Sequence, residues 1–118
     1  MITITLLGEP KSTSHIYKVA CRPFPSVYMS KEGKTIKESY QWQAKSQYKG
    51  KPMAGSLKID VGLYFGTKRK SDIDNFSKLI LDACTGLLWI DDSQIMEASF
   101  SKHYDKENPR IVLTVKEL

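Results

Sequence analysis

Asp72 and Asp74 stand two residues apart, shortly after a run of alternating apolar residues that ends at Phe65. In extended backbone both side chains leave the same side, roughly 7 Å apart. That separation suits two carboxylates that flank or share a divalent cation, and without a cation they would repel each other in a poorly solvated cleft. Asp91 and Asp92 follow a second helical segment, where a short turn can return them to the same region. Adjacent extended residues point in opposite directions, so one of these two is expected to enter the site directly. Lys78 lies four residues after Asp74 and Asp82 four further on, which places all three on one face of a helix. The basic triplet Lys68, Arg69 and Lys70 leads straight into the cluster.

Each of these features has a plainer role when taken alone. Asp74 can be a helix N-cap, and Lys78 can form surface pairs with Asp74 and Asp82 worth about 0.3 to 0.5 kcal/mol each. Asp91 and Asp92 can simply end a strand, and the triplet can be solvated. The conjunction is harder to dismiss: a basic triplet feeding a carboxylate cluster that also holds one lysine.

The elements that must position these residues follow from periodicity. Ile2, Ile4 and Leu6 alternate with Thr3, Thr5 and Leu7 as a first strand, ending at Gly8 and Pro10. Lys11 to Tyr28 contains Pro23 and Pro25, shows no clean period, and is expected to be a long basic loop. Ser30 can cap a helix towards Tyr48, with Ile36, Tyr40, Ala44 and Tyr48 on one face, Lys34, Lys37, Lys45 and Lys49 mostly off it, and Gly50 past the end. Leu57, Ile59, Val61, Leu63 and Phe65 alternate with Lys58, Asp60, Gly62 and Tyr64, the strongest strand pattern in the chain. A second helix is expected from about Asn75 to Thr85, burying Phe76, Leu79, Ile80 and Ala83 and terminated by Gly86. After a turn at Asp91 to Ser93, strands are expected through Met96, Ala98 and Phe100 and over Arg110 to Val115, joined as a hairpin by Asp105 to Pro109. The fold class is α/β (α+β): one domain over residues 1–118, in βαβαββ order, with a mixed four-stranded sheet covered by two helices.

Charge is distributed unevenly. The 118 residues carry a net charge of +5, yet residues 10 to 70 hold 13 Lys and Arg against Glu32, Glu38 and Asp60, a balance of +10. Residues 71 to 97 hold Lys78 alone against Asp72, Asp74, Asp82, Asp91, Asp92 and Glu97, a balance of −5. A basic body around an acidic centre suits a polyanion on the former and a cation on the latter. No apolar run approaches bilayer-spanning length, and Met1 to Leu7 lacks the basic flank of a secretory signal. Cys21 and Cys84 have no zinc-ligand spacing and make a thin disulfide framework. The expectation is a cytoplasmic, DNA-associated protein with no membrane partner.

The stretch SDIDNFSKLILDACTGLLWIDDSQI resembles the signature of the RusA family of Holliday junction resolvases: RxxDxDN, a lysine four beyond the second Asp, an LDAL-like helix and a W-x-D-D-x-Q-[VI] turn. In this chain those positions are Arg69, Asp72, Asp74, Asn75, Lys78, Asp82, Trp89, Asp91, Asp92, Gln94 and Ile95. The resemblance extends more loosely to the first strand with its following Pro10 and to the order of elements. After that strand this chain reads GEPKSTSH, where family members often show more Pro and Asn.

The resemblance implies a metal-dependent endonuclease for four-way junctions, with Asp72, Asp74 and Asp92 binding Mg²⁺ or Mn²⁺ and Lys78 also needed for cleavage. It implies a homodimer as well. Asp91, Asn75 and Asp82 would stand behind the metal-binding carboxylates, and Lys68, Arg69, Lys70 and Lys11 would contact DNA. Leu87, Leu88 and Trp89 are candidates for a dimer interface, with ordinary core as the alternative.

Two rival readings remain on residues alone. FGTKRKSDID bears a faint likeness to the Gly-Ser and DxD pattern of nucleotidyltransferases, but Gly66 and Thr67 stand too close to Asp72 for the helix that normally intervenes. A noncatalytic basic DNA-binding protein would use the acidic cluster structurally. A calcium loop fails because Phe76 occupies a ligand position. His15 and His103 are isolated, so no covalent nucleophile arrangement competes.

Overall fold

The computed structural model describes residues 1–12, 17–20, 26–68 and 76–118. The alternating segment Leu57–Phe65 forms a nine-residue strand, β4, and takes the centre of a four-stranded sheet. To its one side lies β6 (Arg110–Glu117), antiparallel, and beyond that β1 (Ile2–Leu7), antiparallel again. To its other side lies β5 (Ile95–Tyr104), parallel to β4, so the sheet is mixed. Its covering helices are α1 (Lys31–Gln47) and α2 (Ser77–Cys84), and the two touch each other.

β4 owes its central place to composition. All five residues of its apolar face, Leu57, Ile59, Val61, Leu63 and Phe65, are buried, and fully burying a large aliphatic or aromatic side chain is worth about 1.5 to 3 kcal/mol. Ile4 and Leu6 of β1 and Ile111, Leu113 and Val115 of β6 extend that face. From above, α1 adds Tyr40 and Ala44, and α2 adds Leu79, Ile80 and Ala83.

The expected β5–β6 hairpin does not form. β6 inserts between β1 and β4, and the connection from Tyr104 to Arg110 crosses the end of β4, where Asp105 donates its N–H to the Phe65 carbonyl at 2.8 Å. The mostly polar segment MEASFSKHY loses least at an edge, whereas the apolar alternation of β6 is satisfied only between two strands. Alternation also breaks at Met96. Ile95 pairs with Leu57 and Glu97 with Lys58, so Met96 is the extra residue of a bulge and lies exposed rather than facing the core.

The other edge, β1, is covered. The Gln47 side chain accepts the Thr5 N–H at 2.8 Å and donates to the Thr5 carbonyl at 2.7 Å, and Gln43 accepts the Leu7 N–H at 2.7 Å. Two amides of α1 thus stand in for a neighbouring strand.

The region expected to be one long loop before α1 contains a short antiparallel hairpin, β2 (Tyr17–Ala20) with β3 (Ser26–Met29). Two prolines mask a four-residue alternation too brief to stand out in the sequence. Helix α1 begins as expected, with the Ser30 hydroxyl accepting the Gly33 N–H at 3.1 Å. It ends in extended backbone at Tyr48 rather than at a glycine cap, so Gly50 plays no part in the termination. Beyond α2, by contrast, Gly86 takes φ +90° and serves the turn expected of it. Leu88 and Trp89 are fully buried, which makes them core and removes them as interface residues; Leu87 is partly buried.

Candidate active site

The site is built where α2 ends and the chain turns into β5. α2 buries Leu79, Ile80, Ala83 and Cys84, and its other face carries Lys78, Asp82 and, at the C-cap, Thr85. Lys78 Nζ lies 3.6 Å from Asp82 Oδ2, the i,i+4 pair expected from the spacing. Leu87 and Leu88 N–H groups both return to the Cys84 carbonyl, and the Gly86 N–H donates to the Trp89 carbonyl at 2.6 Å. This tight reversal drives the Trp89 ring into the core and brings the following acidic pair back over the helix end.

Asp92 is the half-buried member of that pair. Its Oδ1 accepts the Trp89 indole N–H at 2.9 Å and the Thr85 hydroxyl at 2.5 Å. With both donors on one oxygen, the carboxylate is fixed in orientation and Oδ2 stays available among the described residues. Asp91 is exposed, and its Oδ2 accepts the Ser93 hydroxyl at 3.0 Å. The two adjacent carboxylates therefore occupy different environments, one anchored by the core and one in solvent.

Gln94 locks the turn. Its Oε1 accepts the N–H groups of Ile90 and Asp91, each at 2.8 Å, while its Nε2 donates to the carbonyls of Met53 at 2.7 Å and Gly55 at 2.9 Å. One side chain thus ties the acidic turn to the segment before β4. The Trp, Asp and Gln positions of the W-x-D-D-x-Q pattern are joined by hydrogen bonds rather than merely by spacing. Thr85 is not among the residues that the sequence singles out. No signal marks it, because its hydroxyl meets Asp92 only once the reversal at Gly86 has formed.

Cys84 sits beneath this turn. Burial pushes its thiol from 9.0 up to about 12, and the nearby Asp92 charge pushes the same way. The thiol is a packing group here and not a nucleophile.

At the other end of β4, Gly66 donates its N–H to the Glu9 carboxylate at 2.8 Å. A side chain at Gly66 would meet both Glu9 and Pro109 at 3.0 Å, so glycine permits this close three-way approach. Lys68 follows, exposed, with Nζ 5.5 Å from the Tyr104 ring centroid. Lys11 is exposed as well. Arg69, Lys70, Asp72, Asp74 and Asn75 lie outside the described residues. Among the described residues no group of three or more His, Cys, Asp or Glu side chains gathers. Asp92 brings a hard, pre-oriented oxygen donor, the chemistry that a small divalent cation takes.

A model of the family described as endodeoxyribonuclease RusA matches residues 8–116, nearly the whole chain. A 49-residue stretch is 39% identical to the uncharacterized protein YqaN of Bacillus subtilis (strain 168). That alignment covers 42% of this chain and 34% of the relative, so about a third of the relative's length is spanned. No helix among the described residues is long and apolar enough to cross a membrane.

Proposed function

This chain belongs to the RusA family of endodeoxyribonucleases, and from that premise we propose that it resolves four-way DNA junctions in recombination and repair by metal-dependent hydrolysis of two opposed phosphodiesters. The nearly full-length family match carries the reading. The pre-oriented carboxylate of Asp92 beside the Lys78–Asp82 face supports it.

In this mechanism Asp72, Asp74 and Asp92 would hold Mg²⁺ or Mn²⁺. The chemistry the cation would supply there is a more acidic attacking water and an offset to charge on the scissile phosphate. The chain's own groups do the rest. Trp89 and Thr85 keep Asp92 from rotating, so its second oxygen is presented without further ordering. Lys78 counters charge developing on the phosphate, with Asp82 holding its ammonium in place. Asp91 and Asn75 support the site from outside. Lys68, Arg69, Lys70 and Lys11 grip the DNA backbone, which positions it without reading its sequence.

A junction is resolved only when two symmetry-related phosphates are cut, and one chain offers one such site. A two-fold homodimer supplies two equivalent sites through one repeated interface. The test is a synthetic four-way junction and its linear duplex counterpart, each incubated with Mg²⁺, with Mn²⁺ and with EDTA. Paired nicks at opposed strands of the junction, lost in EDTA, are expected. Tight junction binding with no cleavage under any metal would instead leave a noncatalytic DNA-binding protein. Mixing wild type with Asp92→Asn on a cruciform plasmid reads the dimer: exchanged heterodimers should give open circles rather than linear product.

A further inference from the structure

Helix α1 has a face that the nuclease site does not use. At 3.6 residues per turn, Lys31, Lys34, Trp42 and Lys45 fall within roughly 80° of its circumference, and Lys49 follows two residues past the helix end at Gln47. All five are exposed, and the one acid in the same arc is Glu38. Trp42 is 74% exposed, an unusual placement for the largest apolar side chain, and it lies opposite the stripe through Tyr40 and Ala44 that enters the core. Beside it opens a cleft of about 450 Å³ between α1 and the turn after α2, lined by Trp42, Lys45, Tyr48, Lys49, Pro52 and Leu87. Its lining joins an indole, a phenol ring and aliphatic surface to two lysines.

An apolar cleft lined by two aromatic rings and two lysines fits a group that is flat and apolar at its centre and anionic at its margins, which describes a nucleobase with its flanking phosphates. A second copy of this chain fits less well. A two-fold contact centred on this face would bring lysines against lysines. The cleft is also tied to the cleavage site through the backbone. Gly86, at its edge, donates to the Trp89 carbonyl, and Trp89 holds Asp92.

We propose that the Trp42 face of α1 is a second DNA contact, in which the indole stacks on an unpaired base and Lys45 and Lys49 take its flanking phosphates. The inference rests on the DNA-cleaving reading and adds how an open branch point, where bases lose their stacking partners, is distinguished from continuous duplex. Stacking on an aromatic platform tolerates any base, because every base has a π face.

The experiment measures affinity in EDTA, at one moderate salt concentration, for a four-way junction, a single-stranded oligonucleotide and a blunt linear duplex. The proteins are wild type, Trp42→Ala, Trp42→Phe and Trp42→Leu; the position is exposed, so all four should fold. Trp42→Ala is expected to weaken junction and single-strand binding by about five- to a hundredfold, the loss typical of one stacked base. Duplex affinity should not change. Trp42→Phe should recover most of the loss and Trp42→Leu little of it. DNA should quench the indole emission of wild type, and that quenching should vanish in Trp42→Phe.

Unchanged affinities in Trp42→Ala would overturn the proposal, as would full recovery in Trp42→Leu, which would indicate generic apolar packing. Conversion of a dimer to monomers by Trp42→Ala would assign the face to a second copy instead. If wild type cleaves junctions while the Trp42 variants bind normally, this inference alone falls. If wild type neither binds nor cleaves junctions yet Trp42 stacks on single strands, the function reading falls and this one stands.

Discussion

The two helices rest on the same side of one sheet and touch each other, yet they present opposite chemistry. α1 runs 17 residues, buries only Gly33, Tyr40 and Ala44, and turns lysines and an indole to solvent. α2 runs eight residues, buries Leu79, Ile80, Ala83 and Cys84, and spends its remaining face on Lys78, Asp82 and the Thr85 that holds Asp92. A long helix with a narrow buried stripe can display charge over a distance, which suits affinity for a polymer of phosphates. A short helix with half its residues in the core is a rigid post, which suits the fixed orientation that catalysis needs. Affinity and cleavage should therefore separate under mutation along the line between the two helices.

The largest expected effect is at the end of α2. Asp92→Asn should reduce junction cleavage by more than about a hundredfold, beyond what removing an outer partner of a metal ligand costs, while junction affinity in EDTA stays near wild type. Asp91→Asn should be milder, since its carboxylate is exposed and turned to Ser93. Single-turnover rates at saturating enzyme compare them, and an equal or greater loss at Asp91 would reverse the two assignments.

Trp89→Phe removes the indole donor from Asp92 and keeps an aromatic ring in the core. Cleavage should fall roughly ten- to a hundredfold, with weaker metal affinity, as for other outer-partner losses. Isothermal titration with Mn²⁺ separates this from simple destabilisation: a variant that binds Mn²⁺ as wild type does would leave Trp89 as core alone.

At the C-terminal end of α1, the double change Lys45→Ala and Lys49→Ala should lower the slope of log affinity against log salt by about 2, one for each phosphate no longer neutralised. The cleavage rate at saturating enzyme should hold. A rate loss at saturation would mean that α1 participates in the chemistry and that the division between helices is false.

The smallest effect belongs to Cys84 beneath α2. Its folded thiol titrates at about 12 against an ordinary 9.0, so the native state favours the protonated form. Its contribution to stability is whole below pH 9 and is lost as pH rises from there towards 12. In native protein the thiol should resist an aromatic disulfide reagent at about pH 8, below its ordinary titration range, and react on denaturation. Rapid native-state labelling at Cys84 would show that the end of α2 opens readily and is not the rigid post described above.

Much of this molecule is legible before its fold. The period of β4, the Ser30 cap, the buried faces of both helices and the Lys78–Asp82 pair all depend on residues within a few positions of one another, where spacing alone sets geometry. The hairpin expected of β5 and β6 fails because alternation names a strand's faces but not its neighbours. Only the competition among four strands for the centre decides that the apolar β4 and β6 sit inside and polar β5 at the edge. The β2–β3 pair escapes a sequence reading because four alternating residues beside two prolines carry too little pattern.

The same division holds at the site. By itself the sequence determined which carboxylates exist, their spacing along the chain, the acidic centre within a basic body, and the W-x-D-D-x-Q pattern. It could also state that Asp91 and Asp92 differ in role, but not how: Asp91 is extended while Asp92 opens a 3-10 turn over Asp92–Gln94, so the alternation of an extended pair is not what separates them. That Asp92 is the anchored one, held by Thr85 and Trp89, was decided by the reversal at Gly86 and the burial of the indole. That Gln94 reaches back to Met53 and Gly55, some 39 to 41 positions away, was decided by the packing of the acidic turn against the segment before β4. Hydrogen-bond partners far apart in the chain leave no period for a sequence to carry, since their meeting depends on the whole core closing between them.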